Sequence, residues 1–224
     1  MSIYITGDIH GDPSRLSNNN LSQLGIELDE NDKVIICGDF GLPWGNDKED
    51  EYWLNWLEKK PFEILFVDGN HENFDLLYQF PIEERYGGKV HRLRKNIFHL
   101  MRGEVFEIEG KTFFAFGGAT SIDRHRRKEF ISWWSQENFS VDEFDNATDH
   151  LVDVHFIVDY VLTHTAPKRF IANGTDSTSD IDNCPTSQML SRVEDILVYK
   201  KWFFGHFHVD YCVEESVAAW MYEN

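Results

Sequence analysis

The sequence predicts an α/β fold with a mixed β-sheet. Short apolar or β-branched runs alternate with helix-patterned segments through the first third of the chain, an order that favours parallel strands joined by helical crossovers. Each of these runs closes on Gly, Asp, Asn or His, and functional groups of parallel α/β sheets collect at the carboxyl ends of the strands. The middle of the chain changes to alternation broken by turn residues, which marks antiparallel pairing.

Taken in order, "SIYITGD" is the first strand and "PSRLSNNNLSQLG" the first helical candidate. "KVIICGD" is the second strand. The helix after it, "KEDEYWLNWLEKK", sets Tyr52, Trp53, Trp56 and Leu57 at helical spacing. "EILFVDGN" is the third strand. In "NIFHLMRGEVFEIEGKTFFAFGG", turn signals at Arg102-Gly103 and Glu109-Gly110-Lys111 predict antiparallel strands. Ser140 with Glu143 forms a capping box for a helix running through Asp149. "DYVLTH" and "KWFFGHFH" are two further strands, with the helix "TSQMLSRVEDILVYK" leading into the second. The polar stretch "NGTDSTSDIDN" is a surface loop or lid, and "DRHRRKEF" is a solvated helix start.

With 224 residues, 42% hydrophobic and 15% aromatic, the chain can bury one sizeable core, and a single domain over residues 1–224 is expected. No apolar run reaches the roughly 18 residues of a membrane span, and "MSIYITGD" is neither basic nor a long apolar segment, so a cytoplasmic protein is expected. Cys37, Cys184 and Cys212 lack metal-type spacing, and Cys37 reads as a small core residue. The formal charge of −18 disfavours broad attachment to nucleic acid or anionic membrane. An anionic substrate would therefore need local cations to receive it.

The strand ends contribute Asp8 and His10, Asp39, Asn70 and His71, His164, and His206 with His208. Any one of them is explained by turn chemistry or helix capping. Together, five segments offer carboxylate, imidazole and amide oxygen donors and no thiolate, a set suited to hard or borderline divalent ions.

The ordered series "GDIHG", "GDFG", "GNHE", "THTAP" and "GHFH" resembles the calcineurin-like metallophosphoesterase superfamily, from residue 8 to residue 208 and with equal intervals from Asp8 to Asp39 and from Asp39 to Asn70. The resemblance implies a four-layer α/β/β/α sandwich of two mixed sheets. It also implies two divalent metal ions, manganese, iron or zinc, with manganese the expected choice in vitro. By the family pattern Asp8, His10 and His208 hold one ion, Asn70, His164 and His206 the other, and Asp39 bridges them. Such a pair activates water and clamps phosphate oxygens. His71 has no metal in that pattern and assists the leaving group, with Asp68 and Glu72 as candidates to orient it.

The family's protein Ser/Thr phosphatases carry phosphate-gripping arginines in "GDxVDRG" and "RGNHE", where this chain reads "GDFGLPW" and "DGNHE". Their absence favours a small phosphomonoester, nucleotide or phosphodiester over a phosphoprotein. Arg124, Arg126 and Arg127, after "FGGATSID", are the substitute candidates for substrate binding. Trp133 and Trp134 read as packing residues rather than base-stacking ones. A protein phosphatase is the alternative, and a non-catalytic metal-binding interaction module the contrary class.

Overall fold

Every residue of Lys33–Cys37 is buried, which happens only where a strand has a core on both faces. The computed structural model describes residues 1–45, 47–171, 184–213 and 216–218, and side chains through residue 210. Strands β1 (Ile3–Thr6), β2 (Lys33–Cys37), β3 (Glu63–Val67), β4 (Ile82–Arg85), β5 (Gly88–Arg94) and β6 (Ile97–Leu100) form one sheet in the order β1-β2-β3-β6-β5-β4. Strands β7 (Val105–Ile108), β8 (Lys111–Phe116), β9 (Tyr160–Thr163), β10 (Lys201–Phe204), β11 (Tyr211–Val213) and β12 (Ser216–Ala218) form the other, in the order β11-β12-β10-β9-β8-β7. Each sheet is mixed. β1, β2, β3 and β6 run parallel, as do β8, β9, β10 and β12, while β4, β5, β7 and β11 pair antiparallel at the margins.

Alternation along the strands builds the layers. Ile35, Cys37, Leu65 and Val67 face Phe113, Ala115 and Leu162 between the sheets. Their neighbours Val34, Ile36, Ile64 and Phe66 face outward onto Leu54 and Leu57 of helix α2 (Lys48–Glu58) and onto Phe74 and Leu77 of the short helix α3 (Phe74–Leu77). On the far side Phe114, Phe116, Val161 and Trp202 pack on Ala147 and Leu151 of the Val141–Asp153 helix and on Leu190 and Val193 of the Pro185–Glu194 helix. The result is the expected α/β/β/α sandwich. Cys37 is buried core, and burial pushes its thiol pKa up.

The Ser140/Glu143 capping box forms in both directions, and Asp47 caps α2 through the N–H groups of Glu49 and Asp50. Trp134 is core and donates to Asp75 Oδ2 at 2.8 Å.

Three expectations are corrected, and one hairpin is added. The segment from Pro13 splits into a 3-10 turn (Pro13–Leu16) and helix α1 (Asn18–Gln23), because extended Ser17 interrupts it and caps the second part through Asn20 N–H. Arg102-Gly103 makes no hairpin: it carries the chain from β6 in one sheet to β7 in the other. "DRHRRKEF" starts no helix beyond the 3-10 turn Arg124–Arg126, since Arg127 N–H closes on Arg124 O and a Glu129–Trp133 bridge follows. The hairpin from β4 to β5 through Tyr86-Gly87 was not anticipated. "NGTDSTSDIDN" lies outside the described residues. Among the described residues no helix is long and apolar enough to cross a membrane.

The crossover at Arg102 is anchored by charge. Its guanidinium donates to both oxygens of Asp68, just past β3, to Gln136 O at 2.8 Å and to Glu143 Oε2 at 3.3 Å. Burial opposes ionisation of Asp68, yet Arg102 and a hydrogen bond with His99 hold its pKa well below the usual carboxylate range. Removing one partner of such a pair strands the other charge in the core. Arg102→Met is therefore expected to lower unfolding free energy by about 3–5 kcal/mol in urea titrations. Arg92→Met, which breaks a half-exposed pair with Glu83, should cost less than about 1 kcal/mol.

Candidate metal centre

Backbone geometry brings the strand ends together before any side chain is considered. Ile9 and His10 N–H both donate to Asp39 O, at 3.1 and 2.8 Å, and Gly11 N–H donates to Phe40 O at 3.0 Å, so the loops after β1 and β2 are laced to each other. A Cβ on Gly41, at φ 71°, would sit 2.6 Å from Gly11 N and prevent this approach. One on Gly69 would overlap the Asp39 carboxylate. Among the described residues, four of the nine non-glycine residues at positive φ are His10, Asp39, His206 and His208. Such strain persists only where surrounding structure enforces it, and it clusters at functional sites.

The side chains follow. Asp8 is fully buried; its Oδ1 accepts from His206 N–H at 2.9 Å, and its Oδ2 lies 3.1 Å from His208 Nε2 and 3.7 Å from His10 Nε2. Asp39, 1% exposed, accepts from His71 N–H at 2.7 Å; its Oδ1 is 3.3 Å from His164 Nε2 and its Oδ2 is 3.8 Å from His10 Nδ1. Asn70 Oδ1 is 3.1 Å from His164 Nε2, and the His206 ring packs against that of His164 with centroids 4.9 Å apart. Asp8, His10, Asp39, Asn70, His164, His206 and His208 thus converge from both sheets.

A second layer aims these groups. Cys37 O can only accept, so it draws the proton of His164 to Nδ1 at 2.8 Å and turns Nε2 toward Asp39 and Asn70. Buried Glu137 accepts from Ser121 Oγ at 2.6 Å and from Ser121 N–H at 3.0 Å. With its hydroxyl proton committed, Ser121 Oγ accepts from Asn70 Nδ2 at 3.1 Å, which leaves Asn70 Oδ1 facing the centre. Ser121 and Glu137 escaped the sequence reading. A lone acid beside two tryptophans in "SWWSQENF" was the only available signal.

His71 stands beside this group, edge-on to His10 with centroids 5.0 Å apart. Arg127 lies against its ring, with Nη1 at 3.3 Å from Nδ1 and Nη2 at 3.0 Å from Nε2; Asp123 Oδ1, at 2.6 Å, holds the guanidinium. Burial lowers the pKa of His71, Asp39 opposes that, and Arg127 lowers it further. Neither expected orienter reaches the His71 ring. Asp68 turns away to Arg102 and His99, and Glu72 accepts from Phe40, Gly41 and Gly69 N–H at 2.8, 2.9 and 3.3 Å. Of the three candidate arginines only Arg127 comes to the centre. Arg124 covers the Trp133 ring at 4.4 Å, and Arg126 is exposed.

Two buried carboxylates side by side demand positive charge. In the protein alone, His164 answers that demand: burial opposes its protonation, but Asp39 and Asp8 push its pKa up to about 10. Burial takes His206 down to about 4, leaving its ring neutral. Imidazole nitrogens, carboxylates and an amide oxygen, without thiolate, make a donor set that fits divalent cations, which would take over the role of the His164 proton, and the donors of Asp8, His10 and His208 lie within 4.8 Å of one another. A cavity of about 450 Å³ opens beside Asn70, Ser121, Arg127 and Phe207, and another of about 360 Å³ beside His10, Trp44 and Trp53. They meet at His71.

The calcineurin-like phosphoesterase family model matches residues 1–210. No curated protein matches the chain significantly. Among solved structures, a presumed 5′-nucleotidase from Staphylococcus aureus is similar at 16% identity and a TM-score of 0.49, over 97% of this chain and 48% of that one. The chain thus spans about half the length of that protein. A phosphopantetheinyl hydrolase from Mycobacterium tuberculosis is similar at 12% identity and a TM-score of 0.39, over 97% and 88% of the two chains.

The polarity of the Glu137–Ser121–Asn70 chain yields a test. In Glu137→Gln the amide oxygen must take Ser121 N–H, so the amide nitrogen donates to Oγ, the hydroxyl proton turns to Asn70, and Asn70 presents nitrogen to the centre. Manganese affinity measured by calorimetry should fall about 10- to 100-fold, whereas Ser121→Thr, which keeps the hydroxyl, should preserve it.

Proposed function

The chain belongs to the calcineurin-like phosphoesterase family, and from that premise we propose that it hydrolyses a small phosphomonoester, nucleotide or phosphodiester at a centre of two divalent cations. The convergence of Asp8, Asp39, Asn70 and four histidines from both sheets carries this reading. Asp8, His10 and His208 would hold one cation and Asn70, His164 and His206 the other, with Asp39 shared between them. When bound, such cations polarise phosphoryl oxygens and lower the pKa of water, and manganese is the ion proposed to support turnover in vitro.

The chain's own residues do the remainder. The His71 N–H bond to Asp39 ties the histidine's backbone to the shared carboxylate, so its ring keeps a constant position relative to the reacting phosphorus. From there, once the negative charge of a bound phosphate offsets that of Arg127 and favours the protonated ring, the imidazole can protonate a leaving oxygen as a general acid. Arg127, planar and always charged, sits where a phosphate oxygen can be gripped, and so replaces the arginines missing after "GDFG" and before "GNHE". The two cavities meeting at His71 have small-molecule volumes, which supports a small ester over a folded phosphoprotein.

Three variants test the reading on manganese-supplemented protein with mono- and bis-nitrophenyl phosphate and mononucleotides. Asp39→Asn should lose bound metal and turnover together. His71→Ala should keep its metal while kcat falls about 10²- to 10⁴-fold. Arg127→Leu should weaken substrate binding about 10- to 100-fold through KM. Absence of hydrolysis on every ester, with metal bound, would overturn the proposal.

A further inference from the structure

Histidine is out of place on the covered face of a sheet in a packed sandwich, yet His91 and His99 sit directly opposite each other on β5 and β6. Leu93 and Ile97 fill the same face farther along, as packing requires. Helix α3 ends at Leu77, so the two histidines are covered by Tyr78 and by the loop from Ser135 to Ser140. Between this cover and the sheet lies a cavity of about 540 Å³, lined by Tyr78, Ile82, His91, Met101, Gln136 and Phe139. It lies behind the metal centre, on the Asp68 side of the β3 end, and shares none of the centre's residues.

The rings lie side by side. His91 and His99 are nearly coplanar, within 9°, and meet edge to edge across their Nδ1 atoms with centroids 5.2 Å apart, while Tyr78 stacks on His91 at 5.6 Å and Phe66 adjoins His99 at 5.1 Å. The hydrogen bonds through them have a direction. Asp68 only accepts, so His99 presents Nε2–H to Asp68 Oδ1 at 3.1 Å, and the tautomer that makes this bond leaves Nδ1 to accept from His91 Nδ1–H at 3.0 Å. The relay therefore ends on the lone pair of His91 Nε2. His91 is 3% exposed, and among the described residues no group bonds that nitrogen, so it faces the cavity. Burial and the neighbouring His99 push the His91 pKa down to about 3, consistent with a neutral acceptor.

We propose that this cavity is a binding site for a small neutral ligand with a flat apolar body and one N–H or O–H donor, the donor bonding His91 Nε2. Tyr78, Met101 and Phe139 supply apolar walls for the body, and a donor at Nε2 completes a relay that otherwise ends on an acceptor open to the cavity. Anions are excluded as its occupants. Among the described residues the only buried cation in the wall, Arg102, is committed to Asp68, Glu143 and Gln136 O, and the Glu143 carboxylate lines the cavity. The site thus selects against the phosphate chemistry proposed for the other face.

The test uses the full chain with ¹⁵N-labelled histidine, and phenol, toluene and inorganic phosphate as probes. Phenol should shift the His91 Nε2 resonance saturably, toluene should bind about tenfold more weakly for want of the donor, and phosphate should leave the resonance unmoved. Ligand-observed NMR should show phenol affinity reduced about tenfold in His91→Phe, which keeps an aromatic ring against Tyr78 and removes the acceptor. Ile82→Trp provides a second arm. Ile82 is 57% exposed at the mouth, so the larger ring can narrow the entrance without disturbing the core, and phenol binding should again weaken. A linear, unsaturable phenol response, undiminished binding in both variants, or a phosphate-induced shift at His91 would overturn the proposal. None of these readouts depends on hydrolytic activity, so the inference and the proposed function stand or fall separately.

Discussion

The rest of the structure depends on keeping two carboxylates, Asp8 and Asp39, buried at the ends of adjacent parallel strands. Unpaired, each would cost several kcal/mol, and side by side they repel. The fold answers with groups brought from the opposite sheet: the His164 imidazole after β9, and the His206 backbone N–H and the His208 imidazole after β10. Those groups reach the carboxylates because the sheets stack face to face with their parallel strands ending on a common side. A single sheet would supply Asp8, His10, Asp39, Asn70 and His71 and lack the other half.

Hydrogen bonds of defined polarity then do what burial alone cannot. An imidazole has two nitrogens and an amide two ends, and packing barely distinguishes them. Cys37 O selects the His164 tautomer, and Glu137 acting through Ser121 selects the face of Asn70. Glu72 gathers the N–H groups of Phe40, Gly41 and Gly69, joining the loop after β2 to the loop after β3. Burial and the nearby Asp39 push its pKa up to about 8, against those bonds, which favour the anion. Each of these residues acts on the centre through a neighbour, which is why none announces itself by motif.

A thin helical cover creates the cavity over His91. Three short helical segments cover the outer face of the first sheet, and the cover thins over β5 and β6. Arg102 closes the gap from one side with an ion pair to Asp68. His99 shares that carboxylate, so the floor of the cavity and the end of β3 are parts of one network.

The sequence by itself determined the parallel strands, their polar ends and the resemblance that implied two stacked sheets, because alternation and strand-end glycines are local signals. It also determined which residues could serve as donors, since Asp, Asn and His at consecutive strand ends are rare without a reason. Only the tertiary structure decided that Arg127, and not Arg124 or Arg126, lies against His71, because the turn at Asp123 aims one guanidinium inward and leaves its neighbours on a tryptophan or in solvent. It alone decided that Asp68 and Glu72 brace the backbone instead of the His71 ring, and that Arg102-Gly103 bridges the sheets instead of turning a hairpin. The physical reason is common to all three. A residue's type and spacing constrain its local conformation, whereas its partner is set by chain segments tens of residues away, and those meet only when the sheets pack.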